Sequence, residues 1–216
     1  MKITKTLNYK YIAIEGNIGA GKTTLSEMLG KEFDYRLILE QFTENPFLPL
    51  FYENPERYTL QVELYFMTQR HKQLQGFYHT QSNTHQNTIA DYFFLKTLLF
   101  ADSNLDGEEK GLFQQIFHTL NANFPNPDIL IYLHRPVPEL KTYIHKRGRE
   151  MENTIDPIYL DKVEKAYFGF FKTQPDFPVL VIDMEGVDFV RTPCAYEKIV
   201  GLLQEEYAAK VHYLKL

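Results

Sequence analysis

The chain has 216 residues, 44% of them hydrophobic and 24% charged, with a formal net charge of −5. That is enough length and apolar content for a sizeable core in one domain, residues 1–216, and the negative balance gives no basis for nucleic acid or an anionic membrane as partner. Cys194 is the only cysteine, which excludes an intrachain disulfide and suits a reducing cytoplasm; no apolar run is long enough to span a bilayer.

In chain order, residues 1–8 are polar and read as a tail rather than a secretory leader. Tyr11–Glu15 is apolar and β-branched, a buried strand by pattern. It runs into Gly16-Asn17-Ile18-Gly19-Ala20-Gly21-Lys22-Thr23, a full match to the phosphate-binding pattern G-x-x-x-x-G-K-[ST]. Lys22–Phe33 follows with Leu25, Met28, Leu29 and Phe33 at helical spacing. Glycines in such a loop let successive N–H groups point at phosphate oxygens, and the helix N-terminus adds partial positive charge. Lys22 then reaches the β- and γ-phosphates and the Thr23 hydroxyl ligates Mg²⁺, with Thr24 beside it.

Further strands are predicted at Arg36–Glu40, Thr88–Asp91, Asp128–His134 and Pro178–Asp183. Helices are predicted at Glu56–Gln75, Phe93–Ala101, Glu108–Asn121, Pro138–Lys146, Pro157–Lys172 and Cys194–Ala209. Gln81–Asn87 reads as a polar loop. Strand alternating with helix implies an α/β fold of three layers, with a five-stranded parallel sheet covered by helices on both faces. Ligands in such sheets bind beyond the carboxyl ends of the strands. Glu40 stands at one such end and can accept a proton from an attacking hydroxyl. Asp91 stands at another and can hold Mg²⁺, cap the following helix, or both. Arg147 and Arg149 follow a helix and can close over phosphates, or merely complement that helix's C-terminus. Glu63 and Arg70 lie on the apolar stripe of a long helix, which points to a polar pocket wall or a buried salt bridge.

From about Tyr9 to about Leu203 the chain resembles the deoxynucleoside kinase family. The resemblance is carried by Ile14–Thr24, by Glu40 with Glu44-Asn-Pro-Phe-Leu48, by Phe51-Tyr-Glu-Asn-Pro-Glu-Arg-Tyr58, and by Arg147-Gly-Arg149 with Glu152. It implies a fold like that of P-loop NTPases and transfer of a phosphoryl group from Mg-ATP to a deoxynucleoside. By matching positions it implies Glu40 as base, Tyr52 and Glu152 on the 3′-hydroxyl, Arg70 near the 5′ end of the sugar and Phe100 stacking on the base. Arg147 and Arg149 become lid arginines within residues 146–153, and the donor's adenine falls near Tyr143, Asp188 and Phe189. A homodimer through the apolar faces of Glu56–Gln75 and Glu108–Asn121 is also implied.

The departures bear on substrate. Family members commonly carry Glu/Asp-Arg-Ser after the third strand, where this chain reads Ala90-Asp91-Tyr92. Asp91 either aligns with the acid, as a metal residue, or replaces the arginine, near the base and 5′-hydroxyl; Arg70 or Lys96 then compensates for the missing cation. Glu63 stands where a base-reading glutamine is usual, and Lys96 where deoxycytidine kinase has an aspartate. A carboxylate accepts from guanine N1–H and N2–H₂ while a lysine donates to O6, so the expected substrate is a purine deoxynucleoside, deoxyguanosine ahead of deoxyadenosine. The alternatives are a nucleoside monophosphate kinase, a non-catalytic kinase-like regulatory subunit and a signalling NTPase.

Overall fold

The computed structural model describes residues 6–40, 45–79, 87–121, 124–173 and 175–216. Glu44 of the Glu44–Leu48 segment and nearly all of the expected loop at Gln81–Asn87 lie outside them. Strands β1 (Tyr11–Gly16), β2 (Arg36–Ile38), β3 (Thr88–Ala90), β4 (Ile129–His134), β5 (Val179–Asp183) and β6 (Val211–Lys215) form one sheet in the order β2-β3-β1-β4-β5-β6. Every pairing is parallel. β1 lies inside the sheet between β3 and β4, with Ile12 opposite both Ile89 and Ile129. Its Ile12, Ala13 and Ile14 are completely buried, which is why its sequence is continuously apolar rather than alternating.

The helices are α1 (Lys22–Phe33), α2 (Leu48–Glu53), α3 (Pro55–His79), α4 (Lys96–Asn104), α5 (Gly107–Asn121), α6 (Val137–Arg147), α7 (Pro157–Phe171) and α8 (Pro193–Leu202). They cover both faces of the sheet. Leu25, Leu29, Leu140, Ile144 and Ile199 pack in one cluster with β1, β4 and β5 residues, while Val163, Tyr167 and Phe171 of α7 pack in another with Leu130, Tyr132 and Val181. On α3 the buried positions are Thr59, Val62, Glu63, Met67, Arg70, Leu74 and Phe77, a helical stripe that carries two charged residues inward. Leu60 and Leu64 flank that stripe and are half-buried.

Three expectations are corrected. Among the described residues the sheet has six strands rather than five, and the last helix ends at Leu202 instead of running to Ala209. Val211-His-Tyr-Leu-Lys215 instead adds an edge strand to β5; Val211 packs against one core cluster and Leu214 against the other while Tyr213 stays exposed, so its five residues show no clean alternation. α4 starts at Lys96 rather than Phe93. The Phe93 N–H is taken by the buried Glu15 carboxylate at 2.7 Å, while Phe93 and Phe94 fill separate core clusters. Tertiary contacts therefore hold residues 91–95 out of the helix, and Asp91 does not cap it. The short helix α2, absent from the sequence reading, carries Tyr52.

Candidate active site

The loop after β1 turns through Gly19 at φ 84° and Gly21 at φ 98°, left-handed conformations that side chains disfavour. A Cβ on Gly19 would also meet the Leu140 carbonyl oxygen at 2.9 Å. Asn17 fastens the loop, its Nδ2 donating to the Leu160 oxygen at 2.7 Å and its Oδ1 accepting from Ile18 N at 2.9 Å. Lys22 Nζ donates to the Gly16 and Asn17 carbonyl oxygens, both at 3.0 Å. Burial pulls the Lys22 ammonium down to about 8, helped by Lys96 and opposed by Glu15, Glu40 and Asp91.

Two cavities meet at this loop. The larger, about 420 Å³, is lined by Gly19 to Thr24 and by Tyr143, Arg147, Arg149, Asp188 and Phe189, among others. The smaller, about 100 Å³, is lined by Ile18, Glu40, Tyr52, Glu63, Arg70, Asp91, Lys96, Phe100 and Glu152, together with Phe51, Phe66 and Tyr159. Lys22, Thr23, Arg147 and Arg149 border both. Most residues expected at donor and acceptor are thus gathered into separate but adjoining spaces, although Ile18, expected on the donor side, lines the smaller cavity. Gly16 and Asn17 line neither; they shape the loop from behind.

Glu40 follows β2 and is the electrostatic centre of the smaller cavity. Arg70 grips Oε1 through Nε at 2.9 Å and through Nη2, and Lys96 Nζ donates to Oε2 at 2.8 Å. Burial opposes the charge, but Arg70 and Lys96 overcome it and hold the carboxyl well below its usual range. Arg70 also donates to Thr97 Oγ1 at 2.8 Å and lies over the Phe66 ring at 5.0 Å. Both cations considered as substitutes for the family arginine therefore sit on Glu40. The Lys96 ammonium is paired there and not with Glu63, whose Oε1 accepts from Asn104 Nδ2 at 3.0 Å. Glu63 and Arg70 form no salt bridge with each other among the described residues.

Asp91 accepts from Thr23 Oγ1 at 2.5 Å and from the Glu40 backbone N–H at 2.7 Å. A hydroxyl and a carboxylate meeting at the phosphate loop are hard oxygen donors of the kind Mg²⁺ takes. On the opposite wall Glu152, 3% exposed, pairs with Arg147 and accepts from Arg149 Nη1 at 3.2 Å. A left-handed Gly148 at φ 72° ends α6 and turns the chain into a 3-10 turn, Glu150–Glu152, so both arginines and their carboxylate face one site. Burial raises the Tyr52 phenol, with Glu152 adding to it, and keeps it a neutral hydroxyl.

Sequence reasoning missed Glu15, Thr97, Asn104, Tyr159 and Arg135. Glu15 is 1% exposed and accepts from Tyr167 OH at 2.7 Å as well as from Phe93 N, joining β1 to α7 and to the segment before α4. Arg135 donates to the Met184 and Val187 oxygens at 2.8 and 2.6 Å and lies over the Tyr143 ring at 4.5 Å. It follows β4, so the carboxyl-end rule applied to the other strands would have found it.

Known proteins resemble this chain in sequence and fold. The sequence model described as deoxynucleoside kinase matches residues 12–207. The deoxyguanosine kinase of Bacillus subtilis (strain 168) is 35% identical over 199 residues, covering 90% of this chain and 96% of that protein. The deoxyadenosine/deoxycytidine kinase of the same organism is 26% identical over 211 residues, covering 93% of each. The structure of deoxyadenosine kinase from M. mycoides with bound dCTP superposes with a TM-score of 0.76 at 29% identity, covering 89% of this chain and 97% of that one. The chain belongs to the deoxynucleoside kinase family, whose members are ATP-dependent kinases.

Proposed function

We propose that the protein transfers the γ-phosphoryl group of ATP to the 5′-hydroxyl of a purine deoxynucleoside, deoxyguanosine ahead of deoxyadenosine, and so returns free deoxynucleosides to the nucleotide pool. The observation that carries this reading is Glu40, an ionised carboxylate held by Arg70 and Lys96 in a cavity that shares Lys22 and Thr23 with the phosphate loop. A hydroxyl bound beside Glu40 lies between a proton acceptor and the donor's phosphates. Phosphoryl transfer passes through a loose transition state, so positioning and charge neutralisation matter more than a strong base. A carboxylate with a depressed pKa suits that task because it is always free to accept.

The steps assign as follows. Lys22 neutralises charge on the β- and γ-phosphates, and Arg147 and Arg149 reach the transferring group from the lid side. Thr23 and Asp91 would hold Mg²⁺, which supplies charge neutralisation across the phosphates when bound. Tyr52 donates to, and Glu152 accepts from, the sugar's 3′-hydroxyl, and the space occupied by the Tyr52 ring disfavours a 2′-hydroxyl. Phe100 stacks on the base and Glu63 accepts from its edge. Arg135 and Tyr143 wall the donor's adenine with Asp188 and Phe189. The guanine preference is supported by Glu63 and by the 35% identity to a deoxyguanosine kinase. Half-buried leucines on α3 and α5 support a homodimer.

The test is product analysis. Purified protein is incubated with Mg-ATP and either deoxyguanosine or its 5′-monophosphate, and products are resolved by mass spectrometry. Conversion of the nucleoside to the 5′-monophosphate supports the reading. Conversion of the monophosphate alone would mean a nucleoside monophosphate kinase, and no turnover of either would mean a nucleotide-binding partner subunit.

A further inference from the structure

Glu63 is 2% exposed and lines the smaller cavity beside Val62, Phe66 and Phe100. Among the described residues its carboxylate takes one hydrogen bond, from Asn104 Nδ2, and no ion pair. Of the cations of this cavity, Arg70 and Lys96 are turned onto Glu40, Arg147 and Arg149 onto Glu152, and Lys22 onto the Gly16 and Asn17 carbonyls. A buried carboxylate thus lines the cavity beside Phe100 with a neutral amide as its partner, an arrangement that disfavours the charged form. The groups facing it are Asn104 from α4, Arg70 from its own helix, Lys96 at the start of α4, Glu40 after β2 and the Tyr159 hydroxyl from α7. Asn104, Arg70 and Lys96 favour its charge and Glu40 opposes it. Burial outweighs them all and pushes the carboxyl up to about 7.

The geometry points to Glu63 and Asn104 as one base-reading unit whose proton selects between purines, the carboxylate taking deoxyguanosine and the neutral acid taking deoxyadenosine. This rests on the function proposed above. The chemistry follows from the two base edges. Guanine presents N1–H and N2–H₂, both donors, and a carboxylate accepts from both. Adenine presents a bare N1 acceptor beside N6–H₂, so a carboxylate would set two acceptors against each other. A neutral acid removes that conflict, because its hydroxyl donates to N1 and its other oxygen accepts from N6–H. Asn104 already engages Oε1, which leaves Oε2 to carry the proton. The proton comes from solvent and returns there on release, so one enzyme reads both bases with one side chain.

Kinetics with both purines test this. kcat/KM is measured for deoxyguanosine and deoxyadenosine from about pH 6 to about pH 8, where neither base ionises. The ratio of the two is the readout, because every ionisation that serves both substrates, at Glu40 or on the phosphates, cancels. The ratio of deoxyguanosine to deoxyadenosine is expected to rise about tenfold per pH unit, since the free-enzyme fractions of acid and carboxylate change in opposite directions. In Glu63→Gln the ratio becomes independent of pH and favours deoxyadenosine. A flat ratio in the unaltered protein overturns the inference while leaving the kinase reading intact, and so does a slope that survives Glu63→Gln. Phosphorylation of neither purine at any pH overturns both.

Discussion

At the scale of single residues, Glu40 concentrates the account. It is partly buried between two buried cations, and such a group is hard to replace. Glu40→Gln keeps the shape but loses the proton acceptor and the charge. It is expected to lower kcat about 10²- to 10⁴-fold while leaving the binding of Mg-ATP, measured by calorimetry, nearly unchanged. Lys96 separates two roles that sequence alone left open. If it serves Glu40, Lys96→Met depresses kcat/KM for deoxyguanosine and deoxyadenosine by the same factor, and Lys96→Arg restores part of it. A loss confined to deoxyguanosine would mean that Lys96 reads O6 instead. Removing one member of a buried charge cluster also costs about 3 kcal/mol, so thermal unfolding of Lys96→Met should fall below that of the arginine variant. That Glu40, Glu63 and Lys96 belong together was legible from a strand's carboxyl end, a charge on an apolar helical stripe and the family resemblance, and the three do line one cavity. Their pairing was not, because it depends on where α4 begins.

At the scale of elements, the phosphate loop and its two flanking elements could be read from residue types alone. The motif fixes glycine at Gly16 and Gly21, and Gly21, together with Gly19 at one of the free positions, takes a left-handed angle. Gly19→Ala forces a Cβ onto the Leu140 carbonyl oxygen in an unfavourable conformation. It should cost about 1–2 kcal/mol or more, seen as a lower melting temperature together with weakened ATP binding. Segments governed by distant partners could not be read this way. Residues 93–95 belong to the helix predicted from Phe93 to Ala101, yet Glu15 takes the Phe93 N–H and the buried aromatics draw the backbone elsewhere. Glu15 itself reads as a strand-end residue, and only the fold supplies Tyr167 as its donor. Tyr167→Phe leaves that buried carboxylate one bond short and should lower stability by about 1–3 kcal/mol, measured by denaturant unfolding. β6 escaped notice because an edge strand half in solvent carries little hydrophobic signal.

At the scale of the whole molecule, α3 and α5 carry half-buried Leu60, Leu64, Ile116 and Leu120 and an exposed Leu112. These side chains border the packed core without being covered by it, and a second copy would cover them. Light scattering coupled to gel filtration should report a dimer, and Leu64→Asp with Leu112→Asp should yield a monomer. The three-layer architecture was legible because strand and helix alternate along the chain. The adjoining of donor and acceptor sides was expected from the resemblance, but the pairing of Arg147 and Arg149 with Glu152 was not, since it depends on the turn after α6. The meeting of the two sides is the physical core of the account, for under the proposed function it would set a nucleoside hydroxyl against a nucleotide phosphate. The most direct test is kcat/KM of the purified protein with Mg-ATP for the four natural deoxynucleosides. At neutral pH or slightly above, deoxyguanosine should be phosphorylated best, deoxyadenosine next, and the pyrimidines poorly. A clear preference for deoxycytidine or thymidine would contradict the account.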